Sequence, residues 1–307
     1  MKKTIYVLVL LILLSGCQGA APVSFETPVG PDSDGSLRVT VSIAPQKYFV
    51  ERISGELVDV TVMVQPGNNP ATYEPKPEQL TQLSESAAYF AIGVPFEDVW
   101  LDRITAANSG MVVVDTAEGI ERLPMETAHA HDDDDSLDDS DHGAGALDPH
   151  IWLSPELVKI QSQSIYHALA DIDPDHEAVY RSNLDAFVAD IDILKAEIAG
   201  TLAGVRSRKF MVFHPSWGYF ARDFGLEMVS IEIGGQEPSA QELARLVEEA
   251  RKENIRVILA QPEFNIEDAE TIAQEIGGEV LLASPLAEDW LSNLQVVADT
   301  FAEVLSR

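Results

Sequence analysis

The sequence predicts two α/β lobes, each a small and mostly parallel sheet with flanking helices, joined by one long linking helix with a ligand cleft between the lobes. Short β-branched or apolar runs alternate with helical patterns from about residue 37 onward. This alternation is typical of parallel sheets that are covered by helices. It is interrupted once, by the longest helical pattern of the chain, and then resumes. Two similar halves with one connecting helix imply a cleft between them.

The segment before residue 37 is not part of either lobe. A pair of lysines precedes an apolar run from Ile5 to Leu14, which is too short for a membrane span and has the flanks of a secretion signal. Small residues before Cys17 resemble the bacterial lipoprotein signal, which would make residues 1–17 a signal peptide and Cys17 a lipidated N-terminus. The alternative is a signal peptide with an incidental cysteine. Because Cys17 is the only cysteine, no disulfide framework is possible. Residues 18–36, rich in Gly, Pro, Ala, Ser and Asp, predict a flexible tether.

The N-terminal lobe is predicted over residues 37–174. Its predicted strands are 38–44, 58–64, 87–92 and 111–114, and its predicted helices are 45–53, 77–84, 96–107 and 155–170. After the second strand, residues 65–75 are rich in Pro, Gly and Asn, a composition that is incompatible with a helix or a strand. Long loops that follow strands often carry function, so this loop is a candidate site.

An acidic segment over residues 128–143 interrupts this lobe. It includes the run from His129 to His142, in which histidines are interleaved with aspartates. Nothing in this run can form a core, so we expect an exposed, mobile loop. Two interpretations stay open, namely a solvated charge run and a segment that captures metal ions weakly.

The linking helix is predicted over residues 175–206. Its apolar residues are separated by threes and fours, as one buried stripe requires: Tyr180, Leu184, Phe187, Ile191, Leu194, Ile198, Leu202 and Val205. A helix of about 30 residues would be about 45 Å long and could run along both lobes.

The C-terminal lobe follows over residues 207–307. Its predicted strands are 210–213, 228–233, 256–260 and 279–282, and its predicted helices are 217–224, 239–252, 266–276 and 289–305.

The formal net charge of −31 bears on the partners of the chain. Such an excess of carboxylates argues against nucleic acid as a partner. It suits a solvated surface, cationic ligands, or a saline or alkaline habitat, and the sequence does not separate these three.

Two histidines are candidate ligands. His150 lies in the segment DPHIWLSP at residues 148–155, whose Ser-Pro pair is typical of a helix N-cap and first turn. A histidine on such a short rigid segment suits a metal ligand or a base. His214 directly follows the apolar strand 210–213, and open α/β sheets bind ligands at the carboxyl ends of strands. For each histidine taken alone, the alternative is a residue that only satisfies local hydrogen bonds.

Several spaced motifs occur in order from about residue 37 to the C-terminus. They are Pro66-Gly67 with Pro70, Thr72, Tyr73, Glu74 and Pro75; DPHIWLSP at 148–155; FHPSWGYF at 213–220; EPSA from Glu237 to Ala240; QPEF at 261–264; and SPLAEDW at 284–290. Together they resemble the solute-binding proteins of zinc/manganese-type (cluster A-I) ABC importers. The resemblance implies two α/β lobes joined by a rigid helix, with the metal bound in the cleft.

The resemblance also implies three imidazoles and one carboxylate as the usual metal ligands. His150 and His214 match the second and third histidines in position and neighbours. The first histidine normally lies in the loop at residues 65–75, most often where this chain has Ala71. The carboxylate normally precedes a Pro-Leu pair, where this chain has Ser284. Two of the expected ligands are therefore absent.

Oxygen donors could fill the open coordination positions, since two imidazoles alone would bind tetrahedral zinc weakly. The candidates are the amides of Asn68 and Asn69, the carboxylates of Glu263 and Glu232, the hydroxyl of Ser284, and solvent. From these we select Asn68 and Glu263 as metal ligands beside His150 and His214. More oxygen and less nitrogen favours harder ions such as manganese, so Zn²⁺ and Mn²⁺ both stay open as the divalent cargo.

The leading functional hypothesis is an extracytoplasmic, lipid-anchored receptor that binds zinc or manganese in the cleft and delivers it to the membrane subunits of an ABC permease. We expect a monomer that catalyses no reaction and is attached to the membrane through Cys17.

The runner-up is a receptor of the same fold with a degenerate metal site, which binds a metal chelate or another small solute. A metallohydrolase could use two histidines and an open coordination position. The sequence has no HExxH or GxSxG motif to support it. Adhesion is a further alternative.

Overall fold

The computed structural model describes residues 37–125, 147–232, 238–263 and 266–307, with alternating strands and helices. The N-terminal lobe contains β1 Leu37–Val41, α1 Ala44–Ser54, β2 Val58–Val62, α2 Pro77–Leu83, β3 Ala88–Ala91, α3 Pro95–Ala107, β4 Val112–Asp115 and α4 Pro155–Ile172. The linking helix is α5 Glu177–Leu202. The C-terminal lobe contains β5 Lys209–Val212, α6 Gly218–Phe224, β6 Glu227–Ser230, α7 Ala240–Lys252, β7 Val257–Ala260, α8 Glu267–Ile276, β8 Glu279–Leu282 and α9 Trp290–Ser306.

In the part of the chain that the structure describes, each lobe has one four-stranded sheet, and the two sheets share one topology. Their strand orders are β2-β1-β3-β4 and β6-β5-β7-β8. Every strand pair in both sheets is parallel. In each sheet the order of the strands reverses between the first and the third strand of the lobe. Open α/β sheets bind ligands at the carboxyl ends of the strands beside such a reversal. The predicted fold class is confirmed.

Burial along the strands follows their place in the sheet. The inner strands β3 and β7 are buried at every residue, and their sequences are continuous apolar runs. Strands that are covered by helices on both faces require such runs. The edge strands β4 and β8 instead keep exposed residues. Strand β1 ends at Val41, because the chain turns at Ser42 and α1 already begins at Ala44. The predicted strand over residues 38–44 is therefore too long.

The linking helix is shorter than predicted. It spans 26 residues, which is about 39 Å at 1.5 Å per residue, and begins after a separate 3₁₀ turn at Pro174–His176. At its other end the chain leaves the helix, because the backbone N–H groups of Arg206 and Ser207 donate to the carbonyl of Leu305 at the end of α9. The predicted apolar stripe is buried from Tyr180 to Leu202, whereas Val205 lies beyond the helix and is partly buried.

Helix α9 contacts elements of both lobes, which the sequence pattern did not indicate. Near its start, the ring of Trp290 packs edge-on against Phe49 of α1, with ring centroids 5.3 Å apart. Near its end, Phe301 packs against Phe210 of β5 at 4.6 Å. One hydrophobic core therefore extends through both lobes along α5 and α9. A second, smaller core lies in the C-terminal lobe and includes Met211, Phe213, Ile258, Ala269 and Ile272.

Several predicted segments lie outside the described residues. They are the signal peptide (1–17), the tether (18–36), the acidic segment (128–143), the last residue of the predicted strand 228–233, the glutamate of the EPSA motif (Glu237) and the phenylalanine of the QPEF motif (Phe264). Across the ranges that the structure describes, no helix has both the length and the apolar run that a membrane span needs.

Candidate metal centre

His150 is held between β4 and α4 by buried neighbours on its C-terminal side. The next three residues, Ile151–Leu153, form a 3₁₀ turn and are all buried. Ser154 then caps α4, since its hydroxyl oxygen accepts from the backbone N–H of Leu157 at 3.2 Å, and Pro155 occupies the first turn. This cap is confirmed as predicted. His150 itself is only 8% exposed, so the residues packed around it fix its position.

His214 lies at the carboxyl end of β5, as predicted. The preceding residue, Phe213, still bonds to the carbonyl of Leu259 on β7, and the carbonyl of His214 accepts from the N–H of Ser216 at 2.8 Å in the turn that follows. The imidazole therefore leaves the sheet at the point where its ladder of hydrogen bonds ends.

The structure brings the two histidines together from opposite lobes. Their ring centroids are 5.3 Å apart, and the rings are inclined at 75°. The hydroxyl of Tyr219, on α6 of the C-terminal lobe, donates to the carbonyl of Asp148 at 2.9 Å. The same hydroxyl accepts from the backbone N–H of Leu123 at 3.0 Å. These bonds fasten the segment that carries His150 to the lobe that carries His214.

Each imidazole is oriented by a buried carboxylate. Asp148 Oδ1 lies 2.7 Å from Nδ1 of His150 and also accepts from the backbone N–H of His150 at 2.9 Å. Glu232 Oε2 lies 2.6 Å from Nδ1 of His214. A carboxylate on Nδ1 keeps the proton there and makes Nε2 the lone-pair donor. The pair thus has the arrangement of two metal-ligating histidines.

Sequence reasoning did not find this role for either carboxylate. Asp148 had a local signal, because it lies two residues before His150 within the DPH motif. Glu232 lies 18 residues from His214 in the chain, and only the parallel pairing of β5 with β6 brings it close. Glu232 is also one of the candidate oxygen donors in the sequence, and in the structure its Oε2 contacts the imidazole of His214.

The environment of His214 favours the neutral ring that a metal requires. Burial lowers the pKa of His214, the hydrogen bond that the ring donates to Glu232 raises it, and the neighbouring His150 lowers it. The lowering by burial is the largest of these effects, and the net shift of the pKa is downward, toward the neutral ring.

The other two predicted ligands, Asn68 and Glu263, line one cavity of about 240 Å³. Its walls come from the segments after β1 and β2 in one lobe and after β7 and β8 in the other. The carboxyl ends of both sheets therefore face each other across the cleft. Asn68 is exposed and donates from Nδ2 to the carbonyl of Gln65 at 3.0 Å. Glu263 accepts from the hydroxyl of Ser284 at 2.6 Å.

The four predicted ligands thus form two pairs rather than one cluster. The residues that line the 240 Å³ cavity do not include His150 or His214. Within the described ranges, no group of three or more His, Cys, Asp or Glu side chains is arranged to hold a metal ion. The two oriented imidazoles fit a transition metal, but they would fill only half of a tetrahedral coordination shell.

Comparison with known proteins decides the family. The sequence model of the family described as "Zinc-uptake complex component A periplasmic" (ZnuA) matches residues 39–304. This chain belongs to that family. The predicted resemblance to metal-importer solute-binding proteins is confirmed. A second model, "Prokaryotic membrane lipoprotein lipid attachment site", matches residues 1–18 and so includes Cys17. The chain is a membrane-anchored lipoprotein located outside the cytoplasm, as the sequence predicted.

Three similar proteins match this chain along most of their length. The crystal structure of a ZnuA deletion mutant with zinc bound is 46% identical, with a TM-score of 0.81, and the match covers 89% of this chain and 99% of that one. The high-affinity zinc uptake system protein ZnuA of Bacillus subtilis is 26% identical over 87% of this chain and 84% of its own length. The manganese-binding lipoprotein MntA of Halalkalibacterium halodurans is 26% identical over 100% of both chains.

Proposed function

We propose that this lipoprotein binds a divalent transition metal, zinc or manganese, between its lobes through His150 and His214 and delivers it to an ABC permease. The observation that carries the proposal is the pair of buried imidazoles from opposite lobes, 5.3 Å apart. Membership in the zinc-uptake family and the lipid attachment site support the role of a receptor that faces the outside of the cytoplasmic membrane. The metal is the cargo of the protein.

Because each lobe supplies one histidine, metal binding depends on how the two lobes contact each other. A metal bound by both rings would join the segment after β4 to the segment after β5. Any separation of these segments would remove one ligand and weaken binding. This gives the permease a physical means of releasing the cargo, since it needs only to shift one lobe against the other.

The same geometry argues for a receptor rather than an enzyme. A hydrolytic metal site needs a general base near the metal-bound water. The carboxylates next to the two rings, Asp148 and Glu232, are both bonded to imidazole Nδ1. We propose that the chain catalyses no reaction and acts as a monomer.

One observation favours a second candidate. Within the described residues, no three His, Cys, Asp or Glu side chains are arranged to hold a metal ion, and the carboxylates beside the two imidazoles contact ring Nδ1. A cavity of about 240 Å³ also lies between the lobes. A metal chelate, whose own atoms complete the coordination shell, would suit such a site. The alternative function is therefore a receptor of the same fold for a metal chelate or another small solute.

Metal titration tests the main proposal. The purified mature lipoprotein is analysed for metal and then titrated with zinc and with manganese by calorimetry, as wild type and as His150→Ala and His214→Ala. We expect one strong site that both substitutions weaken severely. His176→Ala is the matched control, because His176 is a partly exposed histidine with an equivalent carboxylate contact, to Asp173 at 2.7 Å.

Two results would overturn the proposal. One is the absence of a strong site for either ion. The other is a strong site whose affinity is the same in wild type, His150→Ala and His214→Ala. Binding of a metal chelate in preference to the free ion would instead establish the alternative.

A further inference from the structure

Helix α6 follows His214 closely and is anchored in the core of the C-terminal lobe. It begins at Gly218, four residues after His214, and the intervening Trp217 is buried. The ring of Trp217 packs edge-on against Phe301 of α9, with ring centroids 5.7 Å apart, and Phe220 packs against the same phenylalanine at 5.2 Å. Close packing therefore fixes the position of α6 relative to His214.

Tyr219 of α6 bonds to the segment on the N-terminal side of His150. Its hydroxyl donates to the carbonyl of Asp148 at 2.9 Å and accepts from the backbone N–H of Leu123 at 3.0 Å. The preceding residue, Gly218, lies so close to Asp148 that a Cβ atom there would be 3.1 Å from Oδ2 of the carboxylate. Because Oδ1 of the same carboxylate orients the ring of His150, α6 contacts this orienting group from the opposite lobe.

Asp223, one turn further along α6, bonds to the segment on the C-terminal side of His150. Its Oδ2 accepts from the hydroxyl of Ser154, whose oxygen also accepts from the N–H of Leu157 as the cap of α4. Its Oδ1 accepts from Nε of Arg222 at 3.0 Å and from a terminal nitrogen of the same guanidinium at 2.7 Å. The side chain of Asp223 is 8% exposed and Ser154 is buried, so water competes little for this bond.

The segment that carries His150 is thus held by α6 at two points, two residues before the histidine and four residues after it. We call these hydrogen bonds the α6 clamp; they join Tyr219 to Asp148 and Leu123, and Asp223 to Ser154. None of the three bonds uses a ring atom of His150 or His214, so the clamp leaves both imidazoles available to a metal. Its buried donors and acceptors are costly to leave unpaired, which makes the clamp hard to open.

We propose that Tyr219 and Asp223 are positioning residues, which hold His150 at its metal-binding distance from His214 before the ion arrives. This inference rests on the proposed function. The clamp fixes the two rings with their centroids 5.3 Å apart, so metal binding does not have to order them. Ligands that are held in place in advance raise affinity, because less conformational freedom is lost on binding. The lobe shift that releases the cargo then has to break the clamp.

Tyr219→Phe tests the first part of the clamp, because it removes the hydroxyl and keeps the ring. Calorimetric titration with zinc and with manganese should show an affinity at least about 10-fold below that of wild type. The matched control is Tyr180→Phe, since Tyr180 is also buried and its hydroxyl donates to Asp173 at 2.6 Å, outside the site. Both substitutions should lower the free energy of unfolding, but Tyr180→Phe should bind metal as wild type does.

Substitutions of Ser154 and Asp223 test the second part of the clamp. Ser154→Ala should weaken metal binding about 10-fold, while Ser154→Thr, which keeps the hydroxyl, should bind as wild type does. Ser154→Ala also removes the cap of α4, so Asp223→Ala, which leaves the capping oxygen in place, should give a similar loss. Thermal unfolding of each metal-free variant checks that the fold is retained.

A readout without metal separates positioning from a general loss of stability. In metal-free wild type with isotopically labelled histidines, we expect a nuclear Overhauser effect between the ring protons of His150 and His214, which face each other across the lobes. The effect should disappear in the double variant Tyr219→Phe with Asp223→Ala and remain in Tyr180→Phe.

Three results would overturn the positioning role. The first is wild-type metal affinity in both Tyr219→Phe and Asp223→Ala. The second is an equal loss of affinity in Tyr219→Phe and Tyr180→Phe, which would indicate a general effect of stability. The third is an Overhauser effect that is absent from metal-free wild type or that persists in the double variant.

The outcomes also separate this inference from the proposed function. If His150→Ala and His214→Ala abolish binding while the clamp variants bind as wild type does, the positioning role is wrong and the receptor function stands. If wild type has no strong metal site but shows the expected Overhauser effects, the receptor function is wrong and the clamp still holds the two histidines together.

Discussion

The indole N–H of Trp290 donates to the backbone carbonyl of Trp152 at 2.7 Å. Both indole side chains are buried, and Trp152 in turn donates to the carbonyl of Pro285 at 2.7 Å. The two tryptophans are 138 positions apart in the chain, and they belong to the DPHIWLSP and SPLAEDW motifs. These motifs therefore form one hydrogen-bonded unit, which fixes the turn after His150 against the start of α9.

We expect Trp290→Phe to lower the free energy of unfolding by at least about 2 kcal/mol. The substitution removes part of a buried ring and leaves the carbonyl of Trp152 without its donor. Denaturant unfolding of the metal-free protein measures the change. Trp100→Phe is the control, because Trp100 is only partly buried and contacts Arg103 at the surface, so it should change stability by less than about 0.5 kcal/mol. Equal effects of the two substitutions would contradict the role of Trp290.

We expect Asp148→Asn and Glu232→Gln to weaken metal binding without unfolding the protein. Each substitution keeps the size of the side chain but removes the negative charge that orients an imidazole. Loss of such a partner typically lowers metal affinity about 10- to 100-fold. Zinc calorimetry measures the effect. Asp173→Asn is the control, since Asp173 contacts His176 in the same way outside the site. Wild-type affinity in both site variants would exclude the orienting role.

The fold could be predicted from the sequence because its signals are local. Apolar periodicity located α5 and its buried stripe, and the position of His214 directly after a strand placed it at a carboxyl end. The ends of α5 were predicted less accurately. The pairing of Arg206 and Ser207 with Leu305 depends on a residue that is distant in the chain.

The site could be predicted only in part, because some of its contacts join residues that are distant in the chain. His150 carried its own signal in the residues around it. Two other contacts join residues that follow neighbouring strands, and their spacing in the sequence does not predict them. They are the contact of Glu232 with His214 and the hydrogen bond between Ser284 and Glu263. The sequence did identify Glu263 as a candidate, but it could not show that Ser284 holds one of its two oxygens.

We expect opposite effects when two glycines are replaced by alanine. Gly67 has a φ of 80°, and a Cβ atom there would meet nothing within 4 Å, so the whole effect of Gly67→Ala is backbone strain. It should destabilise the protein by about 1 kcal/mol. Gly200 lies within α5 and also has open space around it, so Gly200→Ala should stabilise the helix by about 0.5–1 kcal/mol. Thermal unfolding of both variants checks the signs, and a stabilising Gly67→Ala would be inconsistent with the backbone described here.

We expect Glu156→Gln to destabilise the protein at neutral pH and to have no effect in acid. Glu156 on α4 lies 2.6 Å from Lys195 of α5 and 3.1 Å from Lys159. The hydrogen bond from Lys195, followed by that from Lys159, lowers the pKa of Glu156 below its ordinary value of 4.5. Because the pKa is lower in the folded state than in the unfolded state, the stabilisation is present above pH 4.5. It is lost as the pH falls through the folded-state pKa.

The size of this effect should be small, because Glu156 is 44% exposed and water screens the pair. Exposed ion pairs contribute about 0.2–1 kcal/mol, and we expect Glu156→Gln to fall within that range at pH 7. Urea unfolding from pH 3 to pH 7 follows the difference between wild type and variant, and added salt should reduce it. Asp185→Asn is the control, because Asp185 pairs with Arg181 at 3.4 Å and both residues lie within α5. A difference that grew as the pH fell would contradict the direction of the pKa shift.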